Sequence, residues 1–138
     1  MASEMHGGRG YVYCLRYQVV WCVKNRHKVL TEEIVTELEN ILRKIANDNK
    51  FSILEFNADK DYVRILIDCS PQHFIPDMMK AIKGVSARIL MKKFGDGLRQ
   101  KLWGGHLWNP SYFISTVSDN TDLKNTISND LTNITTLA

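Results

Sequence analysis

Stretches of alternating and helically spaced apolar residues divide the chain into strands and helices. The segment Tyr11–Val23 is dominated by β-branched and aromatic residues, which predicts a long first strand. Two shorter runs, Phe51–Phe56 and Tyr62–Asp68, flank the polar turn Asp59–Asp61 and predict a second and a third strand. A fourth strand is predicted over Leu107–Val117.

Three further segments repeat their apolar residues every three to four positions, as an amphipathic helix requires. The first follows Thr31, a typical N-cap residue, and Glu32 and Glu33 suit the positive end of a helix. The second is predicted over Ile75–Phe94, with the glycines of Gly95–Gly97 ending it. The third begins at Asn120 or Thr121, with apolar residues at Leu123, Ile127 and Leu131.

The order βαββαβ with a trailing helix predicts an α+β, ferredoxin-like fold. Two helices would cover one face of an antiparallel sheet, and an extra C-terminal helix would follow the last strand. We expect residues 1–10 to form a flexible leader and residues 11–138 to form a single domain.

Composition narrows the class of protein without identifying it. The 138 residues are 44% hydrophobic and 24% charged, as in soluble globular proteins, and no apolar run could cross a membrane. Cys14, Cys22 and Cys69 stand apart, so reduced thiols in the cytoplasm are favoured over a zinc site or disulfides. The net charge of +3 permits nucleic-acid binding without requiring it.

The most informative stretch is Asp59–Asp68, because its geometry suits a metal site and its side chains do not. Tyr62 and Arg64 are two residues apart on a predicted strand, so they face the same way, about 7 Å apart. Tyr is a poor ligand for a hard divalent ion, and the permanently charged Arg is no ligand at all. For an arbitrary protein the two would be an ordinary strand face.

Four segments together resemble the single-tyrosine HUH transposases of the insertion-sequence 200-like elements. They are Tyr17–Leu30, Asp59–Asp61, Lys83–Arg88 and Leu107–Val117. The resemblance implies a ferredoxin-like fold, two strand histidines that hold a divalent ion, and a tyrosine on the last helix that attacks single-stranded DNA. It also implies a homodimer in which two first strands, here Tyr11–Trp21, join into one sheet.

This chain departs from the family at each catalytic position. Tyr62 and Arg64 stand where the family has its two histidines, and Gln18 replaces a further histidine. Thr126 stands at the nucleophile position, and Asp130 at the position of the helix residue that helps to hold the metal. We therefore expect no cofactor, with Mg²⁺ or Mn²⁺ required only if the protein still cuts DNA.

Other residues offer weaker chemistry. A replacement metal site built from Asp61, Asp68 and Asp130 is disfavoured, because Asp61 and Asp68 differ in parity along the strand. Tyr112 as a substitute nucleophile is disfavoured as well, since the family already has an aromatic residue there. Trp103 and Trp108 could stack on bases or pack in the core or a dimer interface.

Basic residues carry the remaining functional prediction, which is binding of a hairpin in single-stranded DNA or RNA. Arg64 would attract a phosphate where the family holds a cation. The predicted nucleic-acid-binding residues are Lys24, Arg26, His27, Lys28, Arg64, Lys83, Arg88, Lys92 and Lys93. We predict a catalytically defective transposase relative that binds nucleic acid. An active metal-dependent transposase and a dimeric assembly module without nucleic acid remain alternatives.

Overall fold

The fold is a four-stranded antiparallel sheet with helices packed on one face. The computed structural model describes residues 6–8, 11–13 and 15–117. A hairpin, β1 (His6–Gly8) and β2 (Tyr11–Tyr13), precedes the sheet. The remaining elements follow in chain order as β3 (Leu15–Cys22), α1 (Glu32–Asp48), β4 (Ser52–Ala58), β5 (Tyr62–Cys69), α2 (Ile75–Lys93), α3 (Gly95–Lys101) and β6 (Phe113–Thr116).

The sheet is built around its two central strands. Its order is β4-β5-β3-β6, and every neighbouring pair is antiparallel. The α+β class and the antiparallel sheet are thus confirmed. The simple βαββαβ order is extended, because a hairpin precedes it and α3 lies between α2 and β6. Among the described residues, no helix is long and apolar enough to cross a membrane.

The core lies between the sheet and α1 and α2. Odd-numbered residues of the central strands, such as Trp21 and Ile65, point into it and meet Leu38 and Leu42 of α1 and Ile82 of α2, all fully or nearly fully buried. Burying a side chain of this size is worth roughly 1.5–3 kcal/mol. The alternation of strand residues therefore fixes which face of the sheet the helices cover.

The first predicted strand is divided, and that prediction is wrong in one respect. Tyr11–Tyr13 pair with His6–Gly8 in the hairpin, whereas Leu15–Cys22 pair with β5 and β6. The hairpin also places β1 within the segment 1–10 for which a flexible leader is predicted. Strand propensity identifies extended chain but does not choose its pairing partner, so one run of β-branched and aromatic residues served two sheets.

Two other boundaries differ for local reasons. Gly95–Gly97 do not end helical structure: α2 stops at Lys93, and α3 begins at Gly95 and buries Leu98. The predicted strand Leu107–Val117 is regular only over Phe113–Thr116, with a single bridge between Trp108 and Val23. Pro110 has no N–H to donate, and the side chain of Asn109 accepts the N–H of Ser111, which closes a turn instead.

The predicted N-cap of α1 is confirmed and can be tested. Thr31 is extended, and its Oγ1 accepts the backbone N–H of Ile34 at 3.3 Å. Thr31→Ala should lower the free energy of unfolding by about 1 kcal/mol, because a helix N–H loses its acceptor. Thr36→Ala, in the same helix and exposed, is the control and should be neutral or stabilising, since Ala favours helix. Equal losses in urea denaturation would contradict the assignment.

Candidate functional site

The sheet face turned away from the helices carries Tyr62 and Arg64, the two positions predicted to correspond to metal ligands in the family. We call it the outer sheet face. Val20 and Cys22 form a small second apolar cluster there with Tyr62 and Phe113, separate from the main core. By strand alternation and pairing, the polar members of this face are Arg16, Gln18, Ser52, Glu55, Asn57, Arg64, Asp68 and Ser115.

Arg64 is the buried cation at the centre of this face. Its side chain is only 4% exposed, and its Nη2 donates to Glu55 Oε1 at 3.1 Å, with the Glu55 side chain 45% exposed. A β-bulge between Ile53 and Glu55 makes this pair possible. The extra residue in β4 shifts the register so that Glu55 stands opposite Leu66 and faces outward, diagonal to Arg64.

The residues present do not fit a divalent metal ion. Tyr62 and Arg64 do lie two residues apart on one strand face, as predicted, but the buried guanidinium repels a cation and offers no lone pair. Within residues 15–117, apart from the Trp103 side chain, no group of three or more His, Cys, Asp or Glu residues could hold a metal. The strand geometry is therefore compatible with a metal site, and its donor set is not.

The two described acids that could act as substitute ligands already face arginines. Asp61 Oδ2 accepts from Arg26 Nε at 3.1 Å and lies 3.0 Å from Arg26 Nη2. Asp68 Oδ2 lies 3.8 Å from Arg16 Nε. Both carboxylates are buried, so each is best compensated by the arginine beside it rather than by an exchangeable ion.

The Arg26–Asp61 pair also holds a strained turn. Asn25 and Arg26 both adopt left-handed backbone conformations, each with φ of 56°. Such conformations cost non-glycine residues roughly 1–2 kcal/mol each. Backbone bonds from Val23 N to Asp61 O and from Leu30 N to Lys60 O anchor both ends of the segment. Arg26 therefore has a structural partner, while His27 and Lys28 remain exposed.

A groove of ≈ 370 Å³ lies between the segment that follows the basic turn and the basic residues at the end of α2 and in α3. Val29 and Thr31, which follow the basic turn, line one part of it. The end of α2 and α3 supply four basic residues and one acid, namely Lys92, Lys93, Arg99, Lys101 and Asp96. We call this the basic groove. Lys93 is partly engaged, because its Nζ lies 2.9 Å from Glu37 Oε2.

Two of the sequence motifs prove to be in contact with each other. Lys83 Nζ donates to the backbone carbonyls of Asn109 at 2.6 Å and Ser111 at 3.1 Å, and lies 5.7 Å from the centre of the Tyr112 ring. Desolvation by burial lowers the pKa of Lys83 to about 8, and the charge interaction with Cys22 acts in the opposite direction. Lys83 is thus engaged in joining α2 to the chain before β6.

Trp108 packs in the core rather than presenting its ring for stacking. It is buried, lies edge-to-face with Trp21 at 5.8 Å, and donates its indole N–H to Ser86 Oγ at 3.0 Å. Tyr112 is half-buried against the main core. Thr126, Asp130, the last predicted helix and the side chain of Trp103 lie outside the described residues.

The remaining predicted basic residues are dispersed. Arg88 is exposed on α2 but does not line the basic groove, and Lys24 is half-buried in the turn after β3. Sequence reasoning did not select Arg16 or Glu55, which prove central to the outer sheet face. Strand parity could have identified Arg16, two residues before Gln18. Glu55 lies on the outer sheet face because of the bulge in β4, and no sequence pattern predicted that bulge.

Comparison with known proteins identifies the family and agrees with the fold. Residues 11–129 match the family described as "Transposase IS200 like", and the chain belongs to that family. It is 50% identical over 118 residues to the ISDra2 transposase TnpA of Deinococcus radiodurans, covering 86% of this chain and 84% of that protein.

Solved structures show the same architecture. A crystal structure of a Deinococcus radiodurans protein superimposes with a TM-score of 0.84 at 44% identity, covering 94% of this chain and 98% of that one. A REP-associated tyrosine transposase bound to a REP hairpin gives a TM-score of 0.60 at 14% identity, covering 97% and 75%. The second likeness shows the fold alone.

The buried ammonium of Lys83 predicts a pH-dependent contribution to stability. Its pKa in the folded protein, about 8, lies below the ordinary 10.5, so between these values the unfolded chain binds more protons. Stability due to this group therefore rises with pH across that window. The unfolding free energy of wild type minus that of Lys83→Met should increase from about pH 7.5 to pH 9.5 in urea titrations.

Lys80→Met, an exposed position one turn earlier on α2, is the matched control and should show no such growth. A Lys83→Met difference that stays constant or shrinks with pH would contradict the proposed burial of the charge.

Proposed function

We propose that this IS200-family protein binds hairpins in single-stranded DNA or RNA and does not cut them. The observation that carries the binding proposal is the basic groove, where four cationic side chains and one acid border a single concave surface. Phosphate contacts from Lys and Arg supply much of the affinity in protein–nucleic acid complexes. The hairpin in the structure of the distant tyrosine transposase supports this choice of ligand.

The absence of cutting is inferred from the outer sheet face. Metal-assisted attack on a phosphate needs anionic or neutral ligands around the ion. Arg64 instead places a buried positive charge on that face, and Glu55 compensates it. Thr126 at the expected nucleophile position supports the same proposal, since a threonine hydroxyl needs a base or a metal to become nucleophilic.

Binding should depend on the exposed cations of the basic groove. We expect Lys92→Gln combined with Arg99→Gln to weaken the binding of a fluorescent DNA hairpin, because both side chains are exposed on the groove. For every phosphate that the protein no longer neutralises, the slope of log affinity against log salt should become shallower by about 0.7–0.9. The measurement is fluorescence anisotropy at graded salt.

Lys44→Gln combined with Lys50→Gln is the matched control, because it removes the same charge from exposed positions outside the groove. Equal weakening by the two pairs would point to non-specific charge attraction, and no binding by wild type at low salt would end the proposal.

The active-transposase alternative makes an opposite prediction. Wild type incubated with single-stranded DNA and Mg²⁺ or Mn²⁺ would then yield cut DNA and a covalent protein–DNA adduct, visible by mass spectrometry. The assembly-module alternative predicts a homodimer that is indifferent to the groove substitutions. We propose a homodimer for the hairpin-binding protein as well. Sedimentation therefore establishes the oligomeric state, and the binding assay separates hairpin binding from the assembly module.

A further inference from the structure

The outer sheet face holds guanidinium donors that lack acceptors. Arg64 has five N–H donors, and among the described residues the one side-chain bond that it makes is from Nη2 to Glu55. Its Nε and Nη1 are fully buried, with no hydrogen-bond partner. The side chain of Arg16 is 8% exposed, and its Nε and Nη2 also lack a hydrogen-bond partner, since Asp68 is 3.8 Å away.

Buried donors of this kind are costly unless an acceptor reaches them. Ser115 Oγ, on the neighbouring strand β6, is likewise buried without a hydrogen bond. Register places Arg64 opposite Val20, and Arg16 opposite Asp68, four residues further along β5. Arg64 and Arg16 therefore present planar cations with unbonded N–H donors at two positions of the outer sheet face, about 13 Å apart.

We infer that the outer sheet face is an oxyanion site, in which Arg64 binds a phosphate group of the nucleic-acid backbone and Arg16 extends the same surface. Planar guanidinium groups match phosphate oxygens with two parallel N–H bonds. This inference rests on the proposed function for the identity of the ligand, although the site itself is defined by the unmatched donors. The phosphate takes the place of a cation, so the face changes the sign of the ligand it accepts.

Glu55 competes with that phosphate for Arg64 Nη2 and lies on the side from which the phosphate would enter. The Glu55 carboxylate is half in solvent while the guanidinium it meets is buried. Rotating Glu55 outward frees Arg64 Nη2 on the side of the edge strand β4. The negative charge of Glu55 also repels an incoming anion, so its removal should strengthen anion binding.

Thermal denaturation with inorganic phosphate, at constant ionic strength set with chloride, tests the site without requiring a hairpin. We expect a saturable rise in Tm of about 3 °C or more for wild type. Arg64→Met should lose the saturable part and keep only the general stabilisation by phosphate, which excluded salts give to any protein. Arg43→Met, at an exposed arginine paired with Glu39, is the matched control and should keep the full response.

Glu55→Gln provides a second readout that leaves Arg64 in place. Its half-saturating phosphate concentration should fall several-fold, because the competing charge is gone. Equal phosphate responses in wild type and Arg64→Met, or an unchanged half-saturating concentration in Glu55→Gln, would overturn the site. Should Arg64→Met fail to fold, the Glu55→Gln comparison alone decides.

The source of the phosphate is resolved by a second arm with an unstructured oligonucleotide. An Arg64-dependent rise in Tm with this DNA supports a backbone phosphate as the ligand, and a response to inorganic phosphate alone overturns that identification. Failure of hairpin binding by the basic groove would remove the proposed function while leaving an Arg64-dependent phosphate response intact, so the two results can be told apart.

Discussion

The antiparallel pairing of β3 with β5 is the constraint on which the remaining structure depends. The two strands pair along their full length, from Leu15 opposite Cys69 to Cys22 opposite Tyr62. One set of alternate residues meets α1 and α2 and forms the core, and the other set forms the outer sheet face. A one-residue slip would exchange the two sets, so the core itself holds Arg64 in its position.

That coupling explains how side chains on the outer sheet face can differ while the fold persists. Substitutions at outward positions such as 62 and 64 leave the packing of Val63 and Ile65 untouched. They must still satisfy the electrostatics of a buried surface, and a lone guanidinium there would be strongly unfavourable. The bulge in β4 turns Glu55 toward Arg64, and the resulting ion pair compensates the buried positive charge.

Much of the fold followed from local patterns, and the site followed less completely. Thr31 as a cap, Tyr62–Asp68 as a strand and the helix from Ile75 were predictable, because each depends on residues close in sequence. The division of the first strand depends on a partner strand, which no local pattern contains.

The same limit applied to the charges. Nothing in the sequence distinguishes Arg26, Lys83 and Lys93 from the other cations. In the structure, Arg26 pairs with Asp61, and Lys93 pairs with Glu37. Lys83 donates to two backbone carbonyls. The basic groove also arises from tertiary structure, because it joins the segment after β3 to the end of α2, more than sixty residues later.

We propose that the two outward side chains Tyr62 and Arg64 on β5 decide whether the outer sheet face accepts a cation or an anion. The most direct test compares the changes in Tm caused by Mn²⁺ and by inorganic phosphate in wild type and in the double variant Tyr62→His, Arg64→His. Wild type should be stabilised saturably by phosphate and not by Mn²⁺, and the double variant by Mn²⁺ and not by phosphate. Stabilisation of wild type by Mn²⁺, or the same phosphate response in both proteins, would contradict this role of Tyr62 and Arg64.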